Sequence, residues 1–538
     1  MRNLSICLLF LSLEVFAGKI KKNEGPKLMV GIVVDQMRPD YLARFRNRLS
    51  ENGFLRLMRD GHDCANTYIN YLPSYTGPGH ACIYTGSVPA FHGIASNDWI
   101  DRITGLPVYC TSDPKSSAIG GTQKAGRMSP VNMWANTITD ELRLQSNFRS
   151  KVIAVSVKDR ASILPGGHTA SAAYWMDDSN GVFMSSSFYM SSLPDWVIAF
   201  NQRNLAKTYM QQDWNSLYPI NTYHQSSEDQ NAYEGKFTGE LTTTFPHKTA
   251  TLRLNDIKRT PWGNSIVSEF AKTAIEKEKL GQGEETDFLC ISYSSTDYVG
   301  HMYGPNSIEI EDTYLRLDAE IAALLNYLDE TVGAGQYTVF LTADHGVAHN
   351  PQYLIDRKVP AGFFFGDTLK QALNKSLALT YGSNTIIRSV AENFIWFSDS
   401  TLNAMKLNRD KIANDVMSLL RSNSEIQFAF DMHHINDAVV PNPIREMAIN
   451  GYVPNRSGDI LLLLKPAWLD AYALTGTTHG TWNPYDTHIP LIWYGWGIKP
   501  GITYRDIHMT DIAATIASLL RIQMPNACIG KTIPEVIK

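Results

Sequence analysis

The chain has 538 residues, 44% of them hydrophobic, and a net charge of −5. That is more apolar material than one average core needs, and 11 Trp, 25 Tyr and 21 Phe fit a packed globular protein, not a disordered one. With 19% charged residues and a mildly acidic balance, the chain lacks the basic footprint of a nucleic-acid binder.

The first element reads as an export signal over residues 1–17. Arg2 supplies the positive start, residues 4–13 (LSICLLFLSL) the apolar run, and Val15-Phe16-Ala17 a cleavage site. The run is too short to span a bilayer and no later one approaches that length. The expectation is a periplasmic or secreted protein without stable membrane insertion. Cys64, Cys82, Cys110, Cys290 and Cys528 remain after processing. They match no zinc-thiolate spacing and read as packing residues with at most an optional bridge.

Next come apolar, β-rich runs that end in polar residues. Residues 27–34 (KLMVGIVV) lead into Asp35, and 151–157 (KVIAVSV) into Lys158 and Arg160. Residues 287–293 (DFLCISY) lead towards Asp297, and 337–342 (YTVFLT) into Asp344 and His345. Residues 460–464 and 489–494 are further strand candidates, and 313–330 has helical spacing. Continuous apolar runs suit strands buried on both faces. The fold class is therefore α/β, with a central, mostly parallel sheet flanked by helices. In such sheets ligands gather at the carboxyl ends of the strands. Two stretches, about 180–262 and 360–455, break the pattern. They are expected to be insertions capping the active-site face of a single catalytic domain over 24–538.

Asp297-x3-His301, Asp344-His345, Asp35 and the turn-borne His479 together offer three carboxylates and three imidazoles, a ligand set that zinc accepts. Six ligands divide into two sites of three, each with a position open for substrate. An isolated Asp-His after a strand is more often a satisfied turn. Six such residues spread over separate strand ends are harder to dismiss. The segment 73–80 (PSYTGPGH) adds a nucleophile candidate. Gly77 and Gly79 permit close backbone approach, Pro78 suits a first helical turn, and the following helix would aim its positive end at Thr76. The plain alternative makes Thr76 the N-cap of an ordinary helix.

The ordered set VVDQMRPDYL, PSYTGPGHA, SNDW, SVKDRAS, STDYVGH, TADHG and TTHGTW resembles the alkaline phosphatase superfamily of metal-dependent phospho- and sulfohydrolases over nearly the whole mature chain. The resemblance implies an alkaline-phosphatase-like core holding two zinc ions. Asp297, His301 and His479 would hold one. Asp35, Asp344 and His345 would hold the other, with Thr76 as its substrate-side ligand. The segment 76–80 lacks the Cys and Arg of the sulfatase signature. The nucleotide pyrophosphatase/phosphodiesterase branch shares the Thr and an Asn like Asn97. Lys158-x-Arg160 instead resembles the bacterial phosphate-irrepressible, Thr-nucleophile alkaline phosphatases, where these cations and the Asn bind the non-bridging oxygens of a monoester. Other members use a Glu five residues before the Asp-x3-His for a third, magnesium site. Ser292 stands there, so no third Mg2+ is expected, and Lys158 would supply the positive charge.

The physics favours the monoester: its dianion has one more charged oxygen than a diester, and burying that charge without a partner is expensive. Arg160 can offer a fork and Lys158 a point charge. The expected reaction is phosphate monoester hydrolysis through a phospho-threonine at Thr76, with diester hydrolysis as the alternative. Small-molecule phosphate esters are the expected partners. His80 and His92 read as supporting or packing residues, and His488 as the candidate partner of a metal ligand. The oligomeric state is not legible.

Overall fold

The structure, a computed structural model, describes residues 25–471 and 473–538; residues 1–17, read from the sequence as an export signal, lie outside the described residues. Ten strands form the main sheet: β1 (Leu28–Val34), β2 (His62–Cys64), β3 (Ala118–Ile119), β4 (Val152–Ser156), β5 (Ala172–Met176), β6 (Phe183–Ser186), β7 (Asp287–Tyr293), β8 (Tyr337–Thr342), β9 (Leu491–Gly495) and β10 (Gly501–Thr503). Their spatial order is β10-β2-β9-β8-β1-β7-β4-β5-β6-β3. The central five, β8-β1-β7-β4-β5, are parallel. The antiparallel pairs β8–β9 and β5–β6 flank them. Every residue of β1, β4, β7 and β8 is buried, as their unbroken apolar runs require of strands covered on both faces.

The covering helices are α1 (Thr76–Thr85), α2 (Arg160–Gly166), α3 (Trp262–Glu278), α4 (Ser295–Tyr303), α5 (Ile308–Leu328) and α6 (Asp511–Leu520). Strand side chains alternate between faces. On β7, Phe288 meets Tyr84 of α1, while the Tyr293 hydroxyl lies 3.0 Å from Ser268 of α3. The even position faces α1 and the odd one faces α3, so the two helices lie on opposite sides of the sheet. α5 begins at Ile308, five residues ahead of the apolar stripe read from the sequence. The Ser307 side chain accepts from the Ile310 N–H and caps it there.

Residues 460–464 form a strand outside the main sheet. It joins Ile387–Ala391, Phe394–Phe397 and Ile426–Asp431 in a four-stranded antiparallel sheet over a hydrophobic cluster of its own that includes Ile395, Val416 and Leu462. The stretch 180–262 has short helices and little strand. It is pinned to α5 where Trp214 Nε1 and the Tyr223 hydroxyl donate to Asp312 at 2.8 and 2.7 Å. Cys64, Cys82, Cys110, Cys290 and Cys528 are unpaired. No helix among the described residues is long and apolar enough to cross a membrane.

Candidate active site

The parallel register levels the strand ends. Val34 pairs with Tyr293 and Val33 with Thr342, so Asp35, α4 and the Asp344-His345 pair emerge side by side. On α4, Asp297 and His301 are one turn apart and share a face, with His301 Nε2 3.1 Å from Asp297 Oδ1. His479 Nε2 lies 3.8 Å from the same oxygen. His345 Nε2 is 3.5 Å from Asp35 Oδ1 and 3.6 Å from Asp344 Oδ2. The His345 and His479 rings stack with centroids 3.5 Å apart. All six residues singled out as ligands therefore meet in one cluster, and all but His301 are buried.

The cluster offers ligand atoms at a spacing that could hold a metal ion. Potential ligand atoms of Asp297, His301 and His479 lie within 4.8 Å of one another, as do those of Asp35, Asp297 and His345. The three imidazoles each place Nδ1 against a carbonyl: His301 on Thr477 at 2.9 Å, His479 on Ser74 at 2.9 Å and His345 on Gly346 at 3.0 Å. A carbonyl accepts only, so Nδ1 carries a proton and Nε2 is the nitrogen left to face the cluster. Asp35 Oδ1 is buried without a hydrogen-bond partner. Burial, then the Asp344 charge, pushes the Asp35 carboxyl up to about 7. Asp297 resists the same burial because His301 and Lys158 hold it well below the usual carboxylate range. A buried set of carboxylates in mutual repulsion, faced by three imidazole Nε2 atoms, fits a divalent metal ion.

Thr76 is the first residue of α1, and it is not the cap. Tyr75 occupies that position in extended conformation, and no side chain caps the helix. The Thr76 hydroxyl is left to face the cluster, with Oγ1 3.3 Å from His345 Nε2. The need for glycine here is steric: a Cβ on Gly79 would stand 2.6 Å from the Asp344 carbonyl oxygen, and one on Gly77 3.2 Å from Asn97 Oδ1. The Gly77 N–H donates to Asn97 Oδ1 at 2.8 Å, which turns the Asn97 amide and leaves its NH2 free to donate. Lys158 is 2% exposed and ignores its neighbour Asp159. Its Nζ lies 2.7 Å from Asp35 Oδ2 and 2.6 Å from Asp297 Oδ2, under the ring of Tyr298. Burial opposes its charge, but Asp297 and Asp35 outweigh that and raise its pKa. Arg160 starts α2, with Nη1 3.0 Å from the Tyr109 hydroxyl, which itself donates to Asp159. A cleft of about 610 Å3 opens beside Lys158, Arg160, Tyr109 and Tyr298.

Several residues support the cluster, and of these only His80 is singled out in the sequence. Gln36, at φ 69°, donates from its backbone to Asp344 at 3.2 Å and from its side chain to Asp297 at 2.6 Å. His80 Nδ1 lies 3.0 Å from the Thr76 carbonyl oxygen and 3.2 Å from Asp344 Oδ2, and its Nε2 lies 2.9 Å from Ser292 Oγ. Glu392 and Asn393 form the tip of the hairpin in the second insertion. Glu392 accepts from Ser96, beside Asn97, and Asn393 Nδ2 donates to the carbonyl of Gly480, beside His479, at 2.8 Å. The expectation for His488 fails: its Nε2 contacts the Ala65 carbonyl at 2.9 Å and its ring stacks on Tyr68. The carbonyl of Ser74 takes the place beside His479 that sequence proximity suggested for His488. His92 is a packing residue whose Nδ1 accepts from Ile94.

This fold and cluster are those of the alkaline phosphatase superfamily. Within it the chain belongs to the type I phosphodiesterase / nucleotide pyrophosphatase family, whose model matches residues 29–486. It is 48% identical to a protein of Myroides odoratus named a calcium-transporting ATPase, over 98% of this chain and 97% of that one. It is 46% identical to the alkaline phosphatase PafA of Elizabethkingia meningoseptica, over 95% of this chain and 94% of that one. A crystal structure of wild-type PafA superposes with a TM-score of 0.94 at 45% identity, covering 96% of this chain and 99% of that one.

Proposed function

We propose that the chain is an exported, zinc-dependent alkaline phosphatase that hydrolyses phosphate monoesters through a phospho-threonine at Thr76. The observation that carries this reading is the Thr76 hydroxyl at the start of a buried helix, 3.3 Å from His345, facing the cluster whose Asp35 and Asp297 hold Lys158 Nζ at 2.7 and 2.6 Å. Asp297, His301 and His479 would hold one zinc and Asp35, Asp344 and His345 the other. Two such ions supply Lewis acidity to the attacking and leaving oxygens of an in-line displacement.

The chain's own residues do the rest. Thr76 Oγ attacks phosphorus, the P–O bond to the leaving alcohol breaks, and water then cleaves the phospho-threonine, restoring Thr76 and releasing phosphate. The two inversions give net retention. The free Asn97 amide, the Arg160 fork and the Lys158 ammonium bind the non-bridging oxygens, while α1 adds its N-terminal N–H groups and dipole. A monoester dianion uses all of these. A diester would put an organic group against these two cations. The family model's description favours diester hydrolysis as the second reading, and Lys158 with Arg160 argues against it. The terminal phosphoryl group of ATP is a dianion of the same kind, so ATP belongs among the test substrates.

The test compares turnover of an aryl phosphate with that of its methyl diester, with and without chelator. Monoester turnover should dominate and disappear on chelation. Lys158→Ala with Arg160→Ala should cut it far more than diester turnover, and equal losses would refute the monoester assignment. Thr76→Ala should retain zinc and form no phospho-enzyme; labelling that persists would exclude Thr76.

A further inference from the structure

A second cluster of ionisable groups lies behind α4, and the phosphatase chemistry leaves it unused. Residues 229–247 of the first insertion pack against the start of α5 and bury Glu234 and Glu309, 3% and 1% exposed. His247, fully buried, stands between Glu309 and Glu240. Its Nε2 is 3.1 Å from Glu309 Oε1 and its Nδ1 3.1 Å from Glu240 Oε1. Burial pulls the imidazole down, but the two carboxylates outweigh it and bring it up to about 9. His247 is therefore charged at neutral pH and donates from both nitrogens. That satisfies Glu240 and one oxygen of Glu309.

Glu234 remains. Neither of its oxygens has a hydrogen-bond partner. The Thr243 hydroxyl, close enough to act on Glu234, has a single proton and also lies 3.2 and 3.4 Å from the carbonyls of Asp229 and Asn231. Burial, then the charge of Glu309, pushes Glu234 up to about 11. Independently, the buried hydroxyl of Tyr303, which feels Glu309, Glu240 and Glu234, also lacks a partner. Four carboxylates (Asp229, Glu234, Glu240 and Glu309) surround one imidazolium, with the Arg259 guanidinium acting at Tyr303, which leaves negative charge in excess. Among the described residues neither Glu234 nor Glu309 pairs with Lys or Arg. A proton on Glu234 would lower the charge but leave a buried O–H with no acceptor, which is unfavourable. Leaving the charge uncompensated is more unfavourable still. A cation answers the excess charge, the two Glu234 oxygens and the Tyr303 oxygen together. The donors are all hard oxygens, which suits calcium and not zinc.

We propose that Glu234, Glu309 and Tyr303 frame a structural site for one hard divalent cation of the calcium class, separate from the phosphoryl-transfer cluster. Its place gives it a purpose. The Gly235 N–H donates to the carbonyl of Met302, next to His301, at 2.7 Å, and the carbonyl of Tyr233 accepts from the Gly476 N–H at 2.7 Å. Thr477, one residue on, donates its N–H to the His301 carbonyl at 3.0 Å. Ordering Glu234 thus stiffens the end of α4 and the loop that leads to His479.

Equilibrium dialysis of the zinc-loaded, full-length enzyme against radioactive 45Ca2+ tests this, read together with melting temperature in added calcium. One calcium per chain should bind below about 1 mM and raise the melting temperature, with the zinc content unchanged. Glu234→Gln should weaken calcium binding at least ~10-fold and abolish the shift, while keeping its zinc and its turnover of an aryl phosphate. Tyr303→Phe, which is less disruptive, should weaken binding by a smaller factor. No saturable calcium in the wild type, or equal calcium in the wild type and Glu234→Gln, would overturn the proposal and leave the cluster a hydrated, protonated one.

Discussion

Replacing Asn393 by alanine removes two things at once. Its backbone sits in the left-handed region at φ 63°, a conformation that costs an ordinary residue about 1–2 kcal/mol and asparagine less. Its side chain also donates to the carbonyl of Gly480 at 2.8 Å, a bond contributing about 1 kcal/mol. Asn393→Ala should therefore destabilise by about 2–3 kcal/mol. Asn393→Gly keeps the backbone conformation open and should lose only the bond, about 1 kcal/mol. Because Gly480 follows His479, the lost bond should also appear at the site. About 1 kcal/mol of mispositioning is about fivefold in kcat/KM, with faster zinc loss to a chelator in both variants. Urea melts of the zinc-loaded protein, steady-state kinetics and timed chelator competition measure the three effects. A glycine variant as unstable as alanine, or either variant with wild-type zinc retention, would refute the clamp.

Gly79→Ala drives a Cβ to within 2.6 Å of the Asp344 carbonyl oxygen. It should displace α1 and cut kcat/KM by more than about 100-fold, with a folded protein by circular dichroism. Tyr109→Phe removes the link between Asp159 and Arg160. It should raise KM for an aryl phosphate several-fold with little change in melting temperature. His247 has a folded value of about 9 against an ordinary 6.5. Its contribution is fully present below about 6.5 and is lost as pH rises through about 9, about 3 kcal/mol in all. Urea melts at fixed calcium should show that decline in the wild type and a flatter one in His247→Gln. Identical profiles would mean that the imidazole is not charged.

Much of the fold was legible because the parallel strands are buried on both faces and so read as unbroken apolar runs. The residues just past them, Asp35, Lys158, Asp344 and His345, then stand at level strand ends by register alone. The same logic cannot tell one buried sheet from another. Residues 460–464 are as apolar as β1 yet belong to the second sheet. The start of α5 carries Glu309, Glu311 and Asp312, which add nothing to an apolar stripe although all three are buried. Each has a partner far away in the chain: His247 for Glu309, Arg48 for Glu311 and Trp214 for Asp312. The turn at Glu392–Asn393 has two left-handed residues and no glycine to announce it. His488 shows the opposite failure, since nearness to His479 in the chain said nothing about where its ring would pack.

The cluster also shows why so many supports come from outside the sheet. A strand end fixes where a ligand begins, but not how its ring is turned. Turning is done by groups from other segments: the Ser74 carbonyl for His479, the Thr477 carbonyl for His301 and the Gln36 amide for Asp297. The insertions join the same lacing, one through Asn393 at Gly480 and the other through Gly235 at Met302. Neither of these two residues needs to touch substrate to matter, because each holds the backbone next to a ligand. Loss of either of these two hydrogen bonds should therefore show first in metal retention and only through it in turnover. A substitution at Asn97 or Arg160 should do the reverse, lowering turnover while the metals stay. That contrast separates residues that seat the metals from residues that hold the phosphoryl group.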